Sequence, residues 1–349
     1  MSYLQELTLR LALGANQLDE ATRDRHRLWL QAQQRSDGGF AGREGDSDPY
    51  YTAFGLRGLL IVDGIDEQVA ARASAFVQTQ LDARLGVVDL ISLIMAAAIL
   101  ELIGGATEMA AIRSAGDRVA DSLLSLRSPD GGYAKTPGGA AGSTYQTFLN
   151  LLCWELIDRQ EPQPDRVVRF LQSQRHDDGG FREIRVAKRA GVNPTAAGIG
   201  ALKSLGRLTL SEEIATAAFL GQMQTHDGGM AANDRIPMPD LLSSCTGLIS
   251  LIDLEAVGQI DVAKLVLYAR TMERRELTSS TPTSRLGAML DWDDDPQEAS
   301  EASRRDELPG GFHGFEFDQD VDVEYTFYGL ACLALGELVQ GVDETSSGD

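Results

Sequence analysis

The chain has 349 residues and a formal net charge of −21, because 31 Lys and Arg face 52 Asp and Glu. Such a surface repels the phosphates of nucleic acids and anionic membranes, so neither is an expected partner. The N-terminus lacks the basic segment, apolar run and cleavage site of a signal peptide, and no apolar run is long enough to span a bilayer. We therefore expect a cytoplasmic protein that does not insert into membranes.

A short phrase built on a pair of glycines recurs along the chain. It reads QRSDGGF at Asp37, SPDGGY at Asp130, RHDDGGF at Asp178, THDGGM at Asp227 and LPGGF at Pro309. The steps between these positions are 93, 48, 49 and 82 residues. A repeat of roughly 48 residues explains them if one degenerate unit lies near 82–86 and the last step contains an insertion. The sequence therefore predicts six repeats.

These repeats define the predicted domain organisation. The whole chain, 1–349, is expected to be a single domain whose six repeats span about 25–340. An acidic insertion is predicted at about 277–307, and a polar C-terminal tail at 340–349. Repeat architectures exceed the usual size of one domain because each unit adds its own share of core.

Each repeat predicts two helices of different character. An amphipathic helix, such as DRVVRFLQSQRH from Asp165, precedes the glycine pair, which ends it. After a short loop comes a second helix that is apolar nearly all round and rich in Gly and Ala, as expected of a helix buried on most sides. These inner helices should start near Tyr51, Asp89, Thr144, Pro194, Leu241 and Tyr325.

Alternating outer and inner helices can stack as an open solenoid or close into a barrel. Closure is favoured, because no terminal unit has the polar cap that an open array needs. The predicted fold is therefore all-α, an α/α toroid with six inner and six outer helices. Its funnel has the N-termini of the inner helices at one rim, where backbone N–H groups favour an anion. A hydroxyl residue also recurs on the inner helices, at Thr52, Thr147, Thr195, Ser244 and Thr326.

From about Leu28 to Leu338, these phrases resemble the β subunits of protein prenyltransferases, above all Rab geranylgeranyltransferase, and more distantly the class II terpene cyclases. The resemblance implies an isoprenoid diphosphate or similar apolar small molecule as ligand, and it leaves a homodimer or a second subunit open. Family enzymes hold a catalytic zinc through an Asp, a Cys two residues later and a His. Asp240 matches the Asp, but Leu242 and Tyr325 stand at the other two positions, so zinc is not expected.

The resemblance also suggests where a diphosphate would bind. Arg189 stands where the family has a His ahead of the fourth inner helix, and Arg235 matches a family Arg after the fifth glycine pair. The planar guanidinium suits a diphosphate. Aromatic rings at the inner-helix starts, Tyr51, Tyr145 and Tyr325, can stack on an isoprene chain or face a carbocation. These five residues are the predicted substrate-binding set.

Carboxylates alternate along the segment that leads into the sixth inner helix: Glu316, Asp318, Asp320, Asp322 and Glu324. They could hold Mg²⁺ beside a diphosphate, or they could favour the helix dipole while the remainder is solvated. No other cofactor is expected.

Asp322 and Asp240 are the predicted catalytic residues. The motif at 291–294 matches the general-acid motif of the cyclases. Because it lies in the polar insertion, we interpret it as part of a solvated loop.

Three functions follow from the sequence. The first is an enzyme, prenyltransferase-like or terpene cyclase-like, that acts on an isoprenoid diphosphate without the usual zinc site. The second is a toroid that binds an isoprenoid or other lipid without catalysis. The third is a structural or interaction module that kept the barrel and lost the pocket.

Overall fold

The computed structural model describes residues 3–81, 87–104, 108–275 and 308–346. Within these ranges the chain forms fourteen α-helices and one two-stranded sheet. The helices are α1 (Tyr3–Ala15), α2 (Glu20–Gln33), α3 (Pro49–Ile61), α4 (Glu67–Gln80), α5 (Val87–Leu102), α6 (Glu108–Ser114), α7 (Gly116–Ser125), α8 (Thr144–Leu156), α9 (Pro164–Gln174), α10 (Val192–Ser204), α11 (Leu210–Gly221), α12 (Leu241–Asp253), α13 (Val262–Thr271) and α14 (Val323–Ser346). The degenerate turn predicted at 82–86, the insertion predicted at 277–307 and its 291–294 motif lie outside these residues.

Six helices form the inner ring of a barrel. Each of α3, α5, α8, α10 and α12 packs against the next inner helix, and α14 packs against both α12 and α3, which closes the ring. The outer helices α2, α4, α9, α11 and α13 pack against the inner helices beside them, and α6 and α7 share the place of the third outer helix. The predicted closed α/α toroid is confirmed. No helix in the part of the chain that the structure describes is long and apolar enough to cross a membrane.

The inner helices begin within two residues of the predicted starts. The first turns of α3, α8 and α12 are capped by the side chains of Asp48, Ser143 and Asp240, each of which accepts a hydrogen bond from the backbone N–H three residues further on. The last helix, α14, continues to Ser346 and so includes most of the segment predicted as a polar tail.

The glycine phrases form tight turns at the ends of the outer helices. Gly179 has φ +97°, and a Cβ there would lie 2.3 Å from the carbonyl oxygen of Ala215. This position therefore needs glycine for its conformation and for its close approach. The next residue but one, Phe181, is fully buried, and its ring lies against Gly198 of α10, where a Cβ would be 2.7 Å from the ring. Each turn thus anchors an outer helix onto an inner one.

After each turn the chain returns to the inner helix as an antiparallel pair. In the fifth unit this pair is the sheet formed by β1 (Met230–Ala231) and β2 (Pro239–Asp240), with Met230 opposite Asp240. Single bridges occur at the matching places of four other units: Phe40–Asp48, Tyr133–Ser143, Phe181–Gly191 and Phe312–Asp322. Five inner helices therefore start from the same local geometry.

One helix has no counterpart in the predicted repeat. The N-terminal α1 packs against α14, α3 and α10. Tyr3 Oη donates to Asp253 Oδ2 at 2.8 Å, and Arg10 pairs with Asp253 Oδ1 at 2.7 Å. The backbone N–H of Tyr3 also donates to Glu155 Oε1 at 2.8 Å. Asp253 and Glu155 lie at the C-terminal ends of α12 and α8, so α1 lies across that end of the barrel.

Candidate functional site

The barrel has two distinct ends. At one end are the first turns of the inner helices and their capping residues; we call this opening the mouth. At the other end α1 covers the C-terminal ends of the inner helices. The predicted residues Asp240, Asp322, Tyr51, Tyr145 and Tyr325 all stand at or beside the mouth.

Asp240 is held by the helix that it caps. Its carboxylate accepts hydrogen bonds from the Ser243 backbone N–H at 2.7 Å and from Ser243 Oγ at 2.9 Å. Burial raises the pKa of Asp240, and the hydrogen bonds from Ser243 oppose that rise. Capping of α12 therefore accounts for the position of this carboxylate.

Asp322 is paired across the seam between the first and the last repeat. It accepts from the backbone N–H of Tyr325 at 2.8 Å and from Arg43 Nε at 2.8 Å. Both terminal nitrogens of Arg43 also donate hydrogen bonds to the Asp318 carboxylate, at 2.7 and 2.6 Å. The Arg43 guanidinium lies 5.7 Å from the ring centre of Tyr325. Burial raises the pKa of Asp322, and Tyr325 N–H and Arg43 oppose that rise. The acidic run before α14 thus holds Arg43.

Glu324, the last member of that run, turns toward aromatic side chains. Its Oε1 accepts a hydrogen bond from Tyr50 Oη at 2.7 Å, and Tyr328 Oη lies 3.4 Å away. Burial raises the pKa of Glu324, while the hydroxyl of Tyr50 opposes the rise. Glu324 therefore binds the hydroxyls of two tyrosines, Tyr50 of α3 and Tyr328 of α14.

Those tyrosines belong to an aromatic cluster that we define as Tyr50, Phe54, Phe327 and Tyr328. Tyr50 and Phe54 have ring centres 5.0 Å apart, and Phe54 lies 5.6 Å from Phe327 and 5.4 Å from Tyr328. These are tilted or edge-to-face contacts, the arrangements that aromatic pairs favour. The cluster joins α3 to α14 in the barrel interior.

The two predicted arginines lie outside the barrel. Arg189 is exposed and forms an ion pair with Asp234, in the loop between β1 and β2. Arg235 is also exposed, and its backbone N–H donates to Asn233 Oδ1 at 3.0 Å. Among the described residues, no hydrogen bond or ring contact joins either arginine to Tyr51, Tyr145 or Tyr325, and their role in binding remains a prediction.

A cavity of about 1000 Å³ lies between α1 and the inner helices α3, α5 and α8. Most of its lining is apolar, with Leu4, Leu7, Leu11, Met95, Ile99 and Phe327 among the side chains. Glu101 and Arg113, joined by two hydrogen bonds of 2.6 and 2.9 Å, line it together with Asp158. Neither Asp240 nor Asp322 lines this cavity. The space for a ligand is thus on the α1 side of the aromatic cluster.

Arg57 lies at the junction of the cavity and the aromatic cluster. It is a residue of the inner helix α3 and lines the cavity. Its guanidinium carbon is 3.7 Å from the ring centre of Phe327 and 5.2 Å from that of Phe54. Burial lowers the pKa of the guanidinium, which nevertheless stays protonated in proteins. Arg57 is not among the residues predicted from the sequence, although it is a single Arg within the apolar run YTAFGLRGLLIV.

The positions that carry zinc in the resembled enzymes do not form a donor set in this chain. The carboxylate of Asp240 is engaged with Ser243, and Leu242 has no donor atom. Cys245, one turn further along α12, is fully buried. Among residues 3–81, 87–104, 108–275 and 308–346, no group of three or more His, Cys, Asp or Glu could hold a metal ion.

The chain matches a family model over nearly its full length. The model of the prenyltransferase alpha-alpha toroid domain covers residues 7–346. No curated protein matches the sequence.

Three solved structures share the fold at low identity. The Candida albicans protein geranylgeranyltransferase-I complexed with GGPP matches with a TM-score of 0.65 and 14% identity, over 90% of each chain. A type II terpene cyclase from Scytonema, in complex with geranylgeranyl dihydroxybenzoate, matches with a TM-score of 0.55 and 12% identity, over 96% of this chain and 99% of the other. An unsaturated glucuronyl hydrolase specific for heparin matches with a TM-score of 0.60 and 12% identity, over 93% and 98%. These similarities show the fold, which by itself does not fix the chemistry.

Proposed function

Because this chain belongs to the prenyltransferase alpha-alpha toroid family, we propose that it is an enzyme that binds an isoprenoid diphosphate in the cavity between α1 and the inner helices and converts it without zinc. The cavity is the observation that carries this proposal. Its volume of about 1000 Å³ is at the upper end of ordinary ligand sites. Its aliphatic walls suit a branched hydrocarbon chain, and a barrel that served only as a structural module would not need such a space.

The aromatic cluster supplies the chemical part of the proposal. Prenyl transfer and terpene cyclisation both pass through carbocations, which the faces of aromatic rings stabilise. Phe327 lines the inner end of the cavity and is in contact with Phe54 and Tyr328. An allylic cation formed at this end would face these rings while its hydrocarbon tail occupied the cavity.

The proposal does not need a zinc ion, since Leu242 offers no ligand atom at the position of the family's Cys. A Mg²⁺ ion accompanying the diphosphate is compatible with it. Asp240 and Asp322 remain the carboxylates predicted for catalysis, the first from the family resemblance and the second from the acidic run before α14. Their hydrogen bonds to Ser243, Tyr325 and Arg43 also give each of them a role in helix capping or in closing the ring.

A second candidate is an isoprenoid-binding protein without catalysis. It is favoured by the placement of three carboxyls, because Asp240, Asp322 and Glu324 do not line the cavity. Both candidates predict binding, and only the first predicts turnover.

The test is incubation of the purified protein with farnesyl and geranylgeranyl diphosphates, followed by analysis of released diphosphate and of new hydrocarbon products. We expect Phe327→Leu to retain binding and to lower turnover about thirtyfold, which corresponds to about 2 kcal/mol of cation stabilisation. Phe170→Leu, which replaces an equally buried ring in the outer helix α9, is the matched control. Binding with no turnover by wild type would leave the second candidate, and no binding would overturn both.

A further inference from the structure

Arg57 is a cation without a counterion inside the barrel. Within the described residues, no ion pair or hydrogen bond joins its guanidinium to another side chain, and its two close neighbours are the rings of Phe54 and Phe327. Moving an isolated charge out of water is costly unless it is paired or hydrogen-bonded. Arg57 is half-buried and faces the cavity, so among the described residues its charge is met by two ring faces and by whatever the cavity holds.

The polar groups around Arg57 are uncharged. The phenols of Tyr50, Tyr145 and Tyr328 face it, and burial raises the pKa of all three, to about 12 for Tyr145. They consequently carry no negative charge at neutral pH. Glu324, the carboxyl bound to the hydroxyl of Tyr50, forms no ion pair with Arg57. The side chains around Arg57 thus leave its guanidinium free to pair with an anionic group of a molecule bound in the cavity.

Arg43 and Arg113, which lie toward the two ends of the barrel, are already paired with carboxylates. At the mouth, Arg43 is bound to Asp318 and Asp322. At the outer part of the cavity, Arg113 is bound to Glu101 and Asp158. Among the described residues that line the cavity, Arg57 is thus the cation left for an anionic ligand.

We propose that Arg57 binds the anionic head group of the ligand, a phosphate ester or a carboxylate, so that the apolar chain extends from the aromatic cluster toward α1. This inference rests on the proposed binding of an isoprenoid in the cavity. It reverses the orientation that the sequence predicted, in which a diphosphate lies at the mouth with Arg189. The head group then lies beside Phe327, which places the first carbon of the chain against the aromatic cluster.

The test compares three ligands that share one hydrocarbon chain: geranylgeranyl diphosphate, geranylgeranoic acid and the uncharged geranylgeraniol. Dissociation constants are measured by calorimetry on the full-length protein as wild type, Arg57→Met and Arg57→Lys. The exposed Arg169 of α9 provides the matched control Arg169→Met. The unliganded thermal melting temperature of each variant is recorded to establish folding.

We expect wild type to bind at least one of the anions more tightly than the alcohol, and the preferred anion distinguishes a phosphate site from a carboxylate site. Arg57→Met should lose at least tenfold in affinity for that anion, keep its affinity for the alcohol, and melt at or above the wild-type temperature without ligand. Arg57→Lys should recover part of the loss, and Arg169→Met should behave as wild type.

Equal loss of anion and alcohol binding in Arg57→Met, or an unchanged preference for the anion, would overturn the assignment of the head group. In the latter case the isoprenoid site itself would stand. Failure of wild type to bind any of the three ligands would overturn the isoprenoid site together with the assignment.

Discussion

The backbone N–H of Phe181 donates a hydrogen bond of 2.9 Å to Oγ1 of Thr195, fourteen residues later in the next helix. The same bond joins Tyr133 to Thr147, Met230 to Ser244 and Phe312 to Thr326, at 2.9 to 3.1 Å, and Phe40 to Thr52 at 3.0 Å. This bond explains why a hydroxyl recurs on the inner helices. It ties each glycine turn to the inner helix of its own unit.

Thr195→Val should therefore destabilise the protein rather than alter ligand binding. The substitution leaves the buried N–H of Phe181 without an acceptor, which costs about 1–3 kcal/mol. Chemical denaturation measures the change, and Ser122→Ala on the exposed face of α7 should change the free energy of unfolding by less than about 0.5 kcal/mol. Loss of ligand affinity at unchanged stability would show that the recurring hydroxyls act as ligand contacts.

Glu273→Gln should weaken the seam where the last repeat meets the first. The Glu273 side chain is fully buried, accepts from His26 Nε2 at 3.1 Å and pairs with Arg25. Neutralising the Glu273 carboxylate leaves the Arg25 guanidinium without this ion-pair partner. We expect the free energy of unfolding to fall by about 3–5 kcal/mol. Asp165→Asn, in the exposed pair with Arg207, is the control. A change in stability no larger than that of the control would contradict this role.

The same cluster predicts how stability depends on pH. Burial lowers the pKa of His26, so the unfolded chain binds that proton more readily and stability falls as the pH drops below about 6.5. Burial raises the pKa of Glu273, but His26 and Arg25 outweigh it and lower the pKa to about 2. The contribution of Glu273 to the free energy of unfolding is fully present at pH values above the ordinary glutamate pKa, near 4.3. It is lost as the pH falls toward 2. Melting temperatures between pH 8 and pH 3 should fall in two stages, and His26→Gln should remove the first.

Wild-type protein should purify without stoichiometric zinc, because Leu242 and Tyr325 occupy two of the three family ligand positions. Elemental analysis of the purified protein measures the zinc content. The double variant Leu242→Cys with Tyr325→His provides the comparison, since it restores the family's ligand types beside Asp240. One zinc per wild-type chain that is lost on Asp240→Ala would show the expectation to be wrong.

The fold could be predicted from the sequence because its determinants are local and repeated. Glycine turns, capping residues such as Asp48 and apolar inner helices recur in one order, and their period predicts both the helices and the closed ring. The helix α1 was missed because it lies outside the repeat, although it forms one wall of the cavity. The site was harder to predict, since Arg57 and Phe327 lie 270 positions apart and meet only when the ring closes.

The family resemblance and the acidic run favoured residues at the mouth, and this is where the structure places Asp240, Asp322 and Tyr325. Sequence similarity could not reveal that Asp322 is bound by Arg43 or that Arg189 is paired with Asp234 on the exterior. Such pairs depend on side chains from neighbouring repeats, whose relative positions a motif does not contain. The location of the cavity likewise depends on how α1 packs, which no repeat encodes.

The most direct test of the central claim is native mass spectrometry of the wild type and of Ala98→Trp with farnesyl and geranylgeranyl diphosphates. Ala98 lines the cavity from α5, so an indole there would fill the space without replacing a charged group. We expect one bound isoprenoid per wild-type chain and at least tenfold weaker binding by Ala98→Trp with the helical fold retained. Wild-type protein that binds neither ligand at millimolar concentration, or a folded Ala98→Trp variant that binds as well as wild type, would contradict the central claim.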